Sequence, residues 1–169
     1  MGQWVCFNHG KESGPWGTKI ARMAEIARDH GYLVISPDYQ GMDDVNDRIA
    51  TLQRALPNDC DRLVLVGSSM GAYVAAAVAS KRRPDGLLLL APAVLMPGYE
   101  DDYLAPQATL RLVIHGWHDE VVPVNNAVEF CRRHRLPLLL LDSDHRLMSV
   151  LDFICLQFAL FLQQLDAPC

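Results

Sequence analysis

Six short runs of apolar residues recur along the chain. They are Trp4-Val5-Cys6-Phe7, Tyr32-Leu33-Val34-Ile35, Leu63-Val64-Leu65-Val66, Leu87-Leu88-Leu89-Leu90, Leu112-Val113-Ile114 and Leu138-Leu139-Leu140-Leu141. Runs without polar alternation have no face to offer water, as strands buried on both sides require. Between the runs the period changes to that of a helix. Ile20, Met23, Ala24 and Ala27 mark one face over residues 18–30, and further helices are expected over about 44–56, 70–81, 125–134 and 147–165. Thr18 stands where an N-cap belongs, and Gly31 where a helix stops. Between the fourth and fifth runs lies an irregular stretch, residues 92–107, rich in Pro and acids. Alternation of buried strands with helices specifies an α/β chain with a parallel sheet covered on both faces, a three-layer α/β/α sandwich. With 169 residues and no repeat or linker, residues 1–169 are expected to form a single domain.

Ligands of such sheets sit outside the carboxyl ends of the strands. His9, Asp38, Ser69, Asp119 and His145 all fall at such ends. The third run leads directly into Gly67-Ser68-Ser69-Met70-Gly71, then into the small-residue helix Ala72, Ala75, Ala76, Ala77, Ala79. A strand, a very tight turn and a closely packed helix explain both glycines, because a side chain at either position would collide. Ser69 is centred between them, so it, not Ser68, is the candidate nucleophile. An unassisted hydroxyl attacks carbonyl carbon poorly; it needs a base, and the base needs a carboxylate to hold its tautomer. His145 and Asp119 can supply these. Asp142 and Asp144 lie closer to His145 in sequence and compete for the acid's role, although the side chain of Asp144 would tend to diverge from its neighbour.

The order Ser69…Asp119…His145, together with His9-Gly10, Gly67-Ser68-Ser69-Met70-Gly71, His115-Gly116-Trp117-His118-Asp119-Glu120-Val121-Val122-Pro123 and Asp144-His145, resembles the α/β-hydrolase superfamily over nearly the whole chain. The His-Gly-x-x-Asp-x-x-Val-Pro pattern is similar to that of serine carboxylesterases, thioesterases and dienelactone-hydrolase-like enzymes. The resemblance implies Ser69 as nucleophile, His145 as general base then acid, and Asp119 as the orienting carboxylate. It also implies an oxyanion hole from the backbone N–H groups of Met70 and Lys11. It departs from the family by starting at the His-Gly strand, so six strands in the order 2-1-3-4-5-6 are expected, with no separate lid domain. Residues 92–107 are the only candidate cover. Lys11 stands where an apolar residue or glycine is common.

The implied function is hydrolysis of small carboxylic esters or thioesters through an acyl-enzyme on Ser69, without cofactor. A peptidase with the same triad and a non-catalytic interaction module share the fold. His9, Gly10, Trp16, Met42, Met96, Tyr103 and Trp117 are candidate substrate contacts, and Tyr73 is either core or pocket wall. His115, His118 and Asp119 could instead ligate a metal, but a strand-end and a loop histidine need not converge; no metal is expected.

A formal charge of −5 argues against a nucleic-acid partner. Lys81-Arg82-Arg83 and Arg132-Arg133-His134-Arg135 end expected helices, where cations oppose the dipole. Glu100-Asp101-Asp102 reads as a solvated loop. Five unpaired, widely spaced cysteines and no signal-peptide pattern point to a reduced, cytoplasmic setting. The apolar tail 150–162 reads as too short for a membrane span, and its breadth suggests a homodimer contact.

Overall fold

A computed structural model describes residues 1–100 and 104–167. Six strands pair in parallel: β1 (Gln3–Asn8), β2 (Leu33–Ile35), β3 (Arg62–Ser68), β4 (Gly86–Leu90), β5 (Leu110–Gly116) and β6 (Leu138–Leu141). Their spatial order is 2-1-3-4-5-6, as expected from the sequence. Five helices connect or follow them: α1 (Thr18–Asp29), α2 (Val45–Ala55), α3 (Met70–Arg82), α4 (Val124–His134) and α5 (Leu151–Asp166).

Successive strand residues point to opposite faces, and each face has its own core. Val5, Phe7, Val64 and Val66 meet α1 and α5 through Met23, Ala27, Ile154 and Phe158. Cys6 and Leu65 meet α2, α3 and α4 through Leu52, Val74 and Phe130. The Phe7 and Phe158 rings meet edge to face at 6.0 Å. Truncating Phe158 to Ala would cost about 3–5 kcal/mol through lost transfer energy and the remaining cavity. Residues Met70 to Ala79 of α3 are all buried. A helix enclosed on every side needs small side chains, hence its alanines.

Three local expectations are corrected. Gly17, not Thr18, is the N-cap of α1, and no side chain caps it. The last helix does not begin at Leu147, which lies in the left-handed region at φ 58°; a 3-10 turn, Met148–Val150, leads into α5 instead. The helical run Met148–Asp166 spans 19 residues and is long and apolar enough to cross a membrane, contrary to the reading of the tail as too short. Here its inner side closes the sheet: Leu151, Ile154, Cys155, Phe158, Phe161 and Leu162 are buried. Phe153, Leu156 and Leu160 remain exposed on its outer side.

The register sets Asn8 of β1 beside Gly67 of β3, and Ser68 beside Leu90 of β4. The carboxyl ends of the central strands therefore finish level, and the loops carrying the candidate residues open on one edge.

Candidate active site

Ser69 lies between β3 and α3 with φ 56° and ψ −119°. A non-glycine residue held there costs about 1–3 kcal/mol and persists only when its surroundings over-determine it. They do. The Ser69 N–H donates to the Leu90 carbonyl at 2.9 Å, while the Ser69 carbonyl accepts from Ala93 at 3.1 Å and Ala72 at 3.0 Å. A Cβ on Gly67 would stand 2.5 Å from the Ala72 Cα, and one on Gly71 only 2.0 Å from the Asn8 carbonyl oxygen. Both glycines are thus required by backbone approach, as the motif implied.

The Ser69 Oγ lies 2.9 Å from His145 Nε2, and His145 Nδ1 lies 2.7 Å from Asp119 Oδ2. An ionised carboxylate only accepts, so the proton sits on Nδ1 and leaves Nε2 free to receive one from Ser69. The structure therefore selects Asp119 among the three acids. Asp142 pairs with the exposed His118 at 2.8 Å, and Asp144 accepts from the Arg146 and Leu147 N–H groups at 3.0 and 3.2 Å.

Asp119 is held from several sides. Its Oδ1 accepts from the Val121 N–H at 2.9 Å and the Val122 N–H at 2.7 Å. Its Oδ2 also has His115 Nε2 at 3.3 Å. Burial raises its pKa, but the hydrogen bonds from His145, Val122 and Val121 and the charge on His145 outweigh it, so the carboxyl sits below its usual range. His115 is fully buried and bonds the Val122 carbonyl at 3.0 Å; desolvation lowers its pKa and keeps it neutral. His115 and His118 face opposite environments, one buried and one solvated. Gly116 is a further requirement: a Cβ there would stand 2.3 Å from the Ser143 carbonyl oxygen, so its absence lets the His145 loop close on β5.

Met70 opens α3, where the N–H has no intrahelical acceptor and the helix dipole favours negative charge. Gly10 lies beside Ser69, its ideal Cβ position 3.4 Å from the Ser69 Cβ. Among the described residues, neither the Met70 nor the Lys11 N–H donates to a backbone carbonyl. A cleft of about 300 Å³ opens beside them, lined by Lys11, Asp43, Asp44, Asn46, Met70 and Tyr73, with Gly98, Tyr99 and Glu100 as the far wall. Lys11 Nζ pairs with Asp43 at 3.3 Å across its rim.

Several expected substrate contacts are placed elsewhere. His9 is fully buried and cannot meet a substrate; its Nε2 accepts from the Tyr39 N–H at 2.8 Å behind the Gly10 loop. Trp16, Met42, Met96 and Trp117 do not line the cleft. Trp16 packs under the Arg28 guanidinium, Met42 offers its sulfur to Thr51, and Met96 offers its own to Asn126. Trp117 is half exposed beyond β5. Tyr103 lies outside the described residues. Tyr73 is both core and wall: it is buried, its hydroxyl donates to the Glu100 carbonyl at 2.7 Å, and its ring meets Tyr99 at 4.9 Å. The described part of residues 92–107 is a pinned wall of the cleft: Asn126 Nδ2 holds the Val94 and Leu95 carbonyls at 3.1 Å each.

The α/β-hydrolase family model matches residues 5–155. The chain belongs to the alpha/beta hydrolase family. A structure from Xanthomonas campestris pv. campestris assigned to the alpha/beta hydrolase superfamily is 30% identical, with a TM-score of 0.81 over 96% of this chain and 98% of that one. A serine hydrolase without lid from Xanthomonas campestris, 21% identical, superposes with a TM-score of 0.71 over 95% and 81% of the two chains. The Pyrococcus furiosus esterase Pf2001, 20% identical, does so with 0.74 over 96% and 83%. Among curated proteins none matches the chain. Family and neighbours together support a hydrolase.

Proposed function

We propose that this hydrolase is a serine hydrolase of small carboxylic esters or thioesters. The observation that carries the reading is the continuous relay from Ser69 Oγ to His145 at 2.9 Å and on to Asp119 at 2.7 Å, set beside two N–H groups that have no backbone acceptor among the described residues. Ser69 Oγ attacks the acyl carbon while His145 Nε2 takes its proton, and the carbonyl oxygen gains negative charge facing the Met70 and Lys11 N–H groups. His145 then returns the proton to the departing alcohol or thiol, leaving an acyl-Ser69. Water, deprotonated by His145, attacks that acyl group; the bond to Ser69 Oγ breaks, Oγ takes the proton back from His145, and the acid is released. Asp119 keeps the ring in the productive tautomer and stabilises the transient imidazolium. The cleft of about 300 Å³ suits a small acyl or alcohol group.

A fluorophosphonate probe should label wild type at Ser69 and leave Ser69→Ala unlabelled; a folded, unlabelled wild type would sink the reading. Turnover of p-nitrophenyl esters should fall off as the acyl chain outgrows the cleft. The intact relay argues against a non-catalytic interaction module, which has no chemical use for it.

A further inference from the structure

Arg48 of α2 carries a charge in a fully buried position, 1% exposed. Among the described residues no carboxylate pairs with it; three backbone carbonyls hold it instead. Its Nε donates to Met42 at 2.8 Å, and its Nη1 to His9 at 3.2 Å and Gly10 at 3.3 Å. The guanidinium also lies 5.3 Å from the centre of the Tyr39 ring. Burying an arginine without a counter-ion is costly, and a helix covering a sheet has no need of one.

What the guanidinium grips explains its presence. The Gly10 carbonyl is held twice, by Arg48 and by His9 Nδ1 at 2.7 Å. The tautomer of His9 follows, because its Nε2 is already the acceptor for the Tyr39 N–H at 2.8 Å, so the proton must be on Nδ1. Tyr39 is fixed in turn, its hydroxyl donating to Asn8 Oδ1 at 2.7 Å. The Gly10 carbonyl belongs to the same planar, trans peptide as the Lys11 N–H, so the two point in opposite directions. Pulling the carbonyl into the protein turns the N–H the opposite way, and Gly10 lies beside Ser69, where an added Cβ would come within 3.4 Å of the Ser69 Cβ. Glycine on the carbonyl side leaves this peptide free to rotate unless something holds it. A flipped peptide would present a carbonyl lone pair to the developing oxyanion.

We propose that Arg48, acting with the neutral His9, is a positioning residue that locks the Gly10–Lys11 peptide so that the Lys11 N–H faces the oxyanion. This rests on the serine-hydrolase reading. The guanidinium charge also polarises the peptide it holds and strengthens its N–H as a donor.

The test compares wild type, Arg48→Lys and Arg48→Gln on p-nitrophenyl acetate and on a trifluoromethyl ketone. Ser69 Oγ adds to the ketone carbon, its proton passes to His145, and the ketone oxygen keeps the negative charge. Both variants should lose about 10- to 100-fold in kcat with KM within about threefold. Ketone affinity should fall by the same factor as kcat/KM. In a Lys11→Pro background, which removes the N–H itself, Arg48→Lys should add less than about threefold. Should the variants not fold, wild type still answers: titrating the ketone should shift the Lys11 amide and the Arg48 Nε–H resonances together. A kcat loss with unchanged ketone affinity, full additivity with Lys11→Pro, or an Arg48 resonance unmoved while Lys11 shifts overturns the assignment of Arg48 alone. A wild type neither labelled at Ser69 nor active overturns the hydrolase reading and this one with it.

Discussion

The turn around Ser69 and the cleft beside it are neighbours built by opposite means. At the turn, backbone meets backbone with no slack: an added methyl at Gly71 would overlap the Asn8 carbonyl, and Ser69 holds a disfavoured conformation through bonds at its own N–H and carbonyl. At the cleft, Asp43, Asp44 and Glu100 project side chains at an open rim, and Lys11 is tied to Asp43 by an ion pair in which both partners are more than half exposed. On the serine-hydrolase reading, the reaction is thus set by packing that tolerates almost no change, and the choice of substrate by exposed groups that can be exchanged more freely.

The largest test of this contrast is Asp119→Asn. With its Oδ1 still accepting from Val121 and Val122, the new amide turns its NH₂ toward His145 and forces the proton onto Nε2, where Ser69 needs a lone pair. We expect kcat to fall about 10³–10⁴-fold with the fold retained, measured by steady-state kinetics and circular dichroism. Gly71→Ala comes next. It should cost about 3 kcal/mol in urea unfolding and about 100-fold in activity, since the turn can only move away from Asn8; a fully active Gly71→Ala would show the turn to be softer than described. At the cleft, Asp43→Asn should change KM by about two- to fivefold and leave kcat and melting temperature alone, because an exposed pair is largely screened.

The smallest expected effect separates the regions by pH. Desolvation lowers the pKa of His9 and His115, which back the turn, from the ordinary 6.5. The unfolded chain therefore binds protons first, and their stabilisation is complete above that value and lost progressively below it. Asp119, whose folded pKa is lowered, keeps its contribution until the pH drops through the carboxylate range. The melting temperature should accordingly fall by about 2–5 °C from pH 7 to pH 5. A flat profile would mean that the two histidines titrate normally.

The same contrast decides what could be read from the sequence. The strands and their order were legible because uninterrupted runs such as Leu87 to Leu90 exclude a wet face, and Ser69 because paired glycines announce a backbone collision. The acid was expected at Asp119 from the order Ser69, Asp119, His145 and from its place on the neighbouring strand's loop, and Asp119 is the carboxylate that lies 2.7 Å from His145 Nδ1. Arg48 was overlooked, although it left a trace: it lies four residues before the buried Leu52, on the inward stripe of α2, where a cation is out of place. Trp16, Met42, Met96 and Trp117 were expected at the substrate because large side chains on loops suggest a pocket; they do not line the cleft, and loop paths depend on contacts such as Asn126 with Val94 and Leu95.

The strand order 2-1-3-4-5-6 also has a consequence for biosynthesis. Once β3 has joined β1, every later strand is added at the same growing edge, so the sheet can extend as the chain leaves the ribosome. The turn bearing Ser69 can close early, when Leu90 arrives to hold its N–H. His145 follows β6, the last strand to join. On the serine-hydrolase reading, a nascent chain therefore carries Ser69 without its proposed base until the final edge of the sheet is laid down.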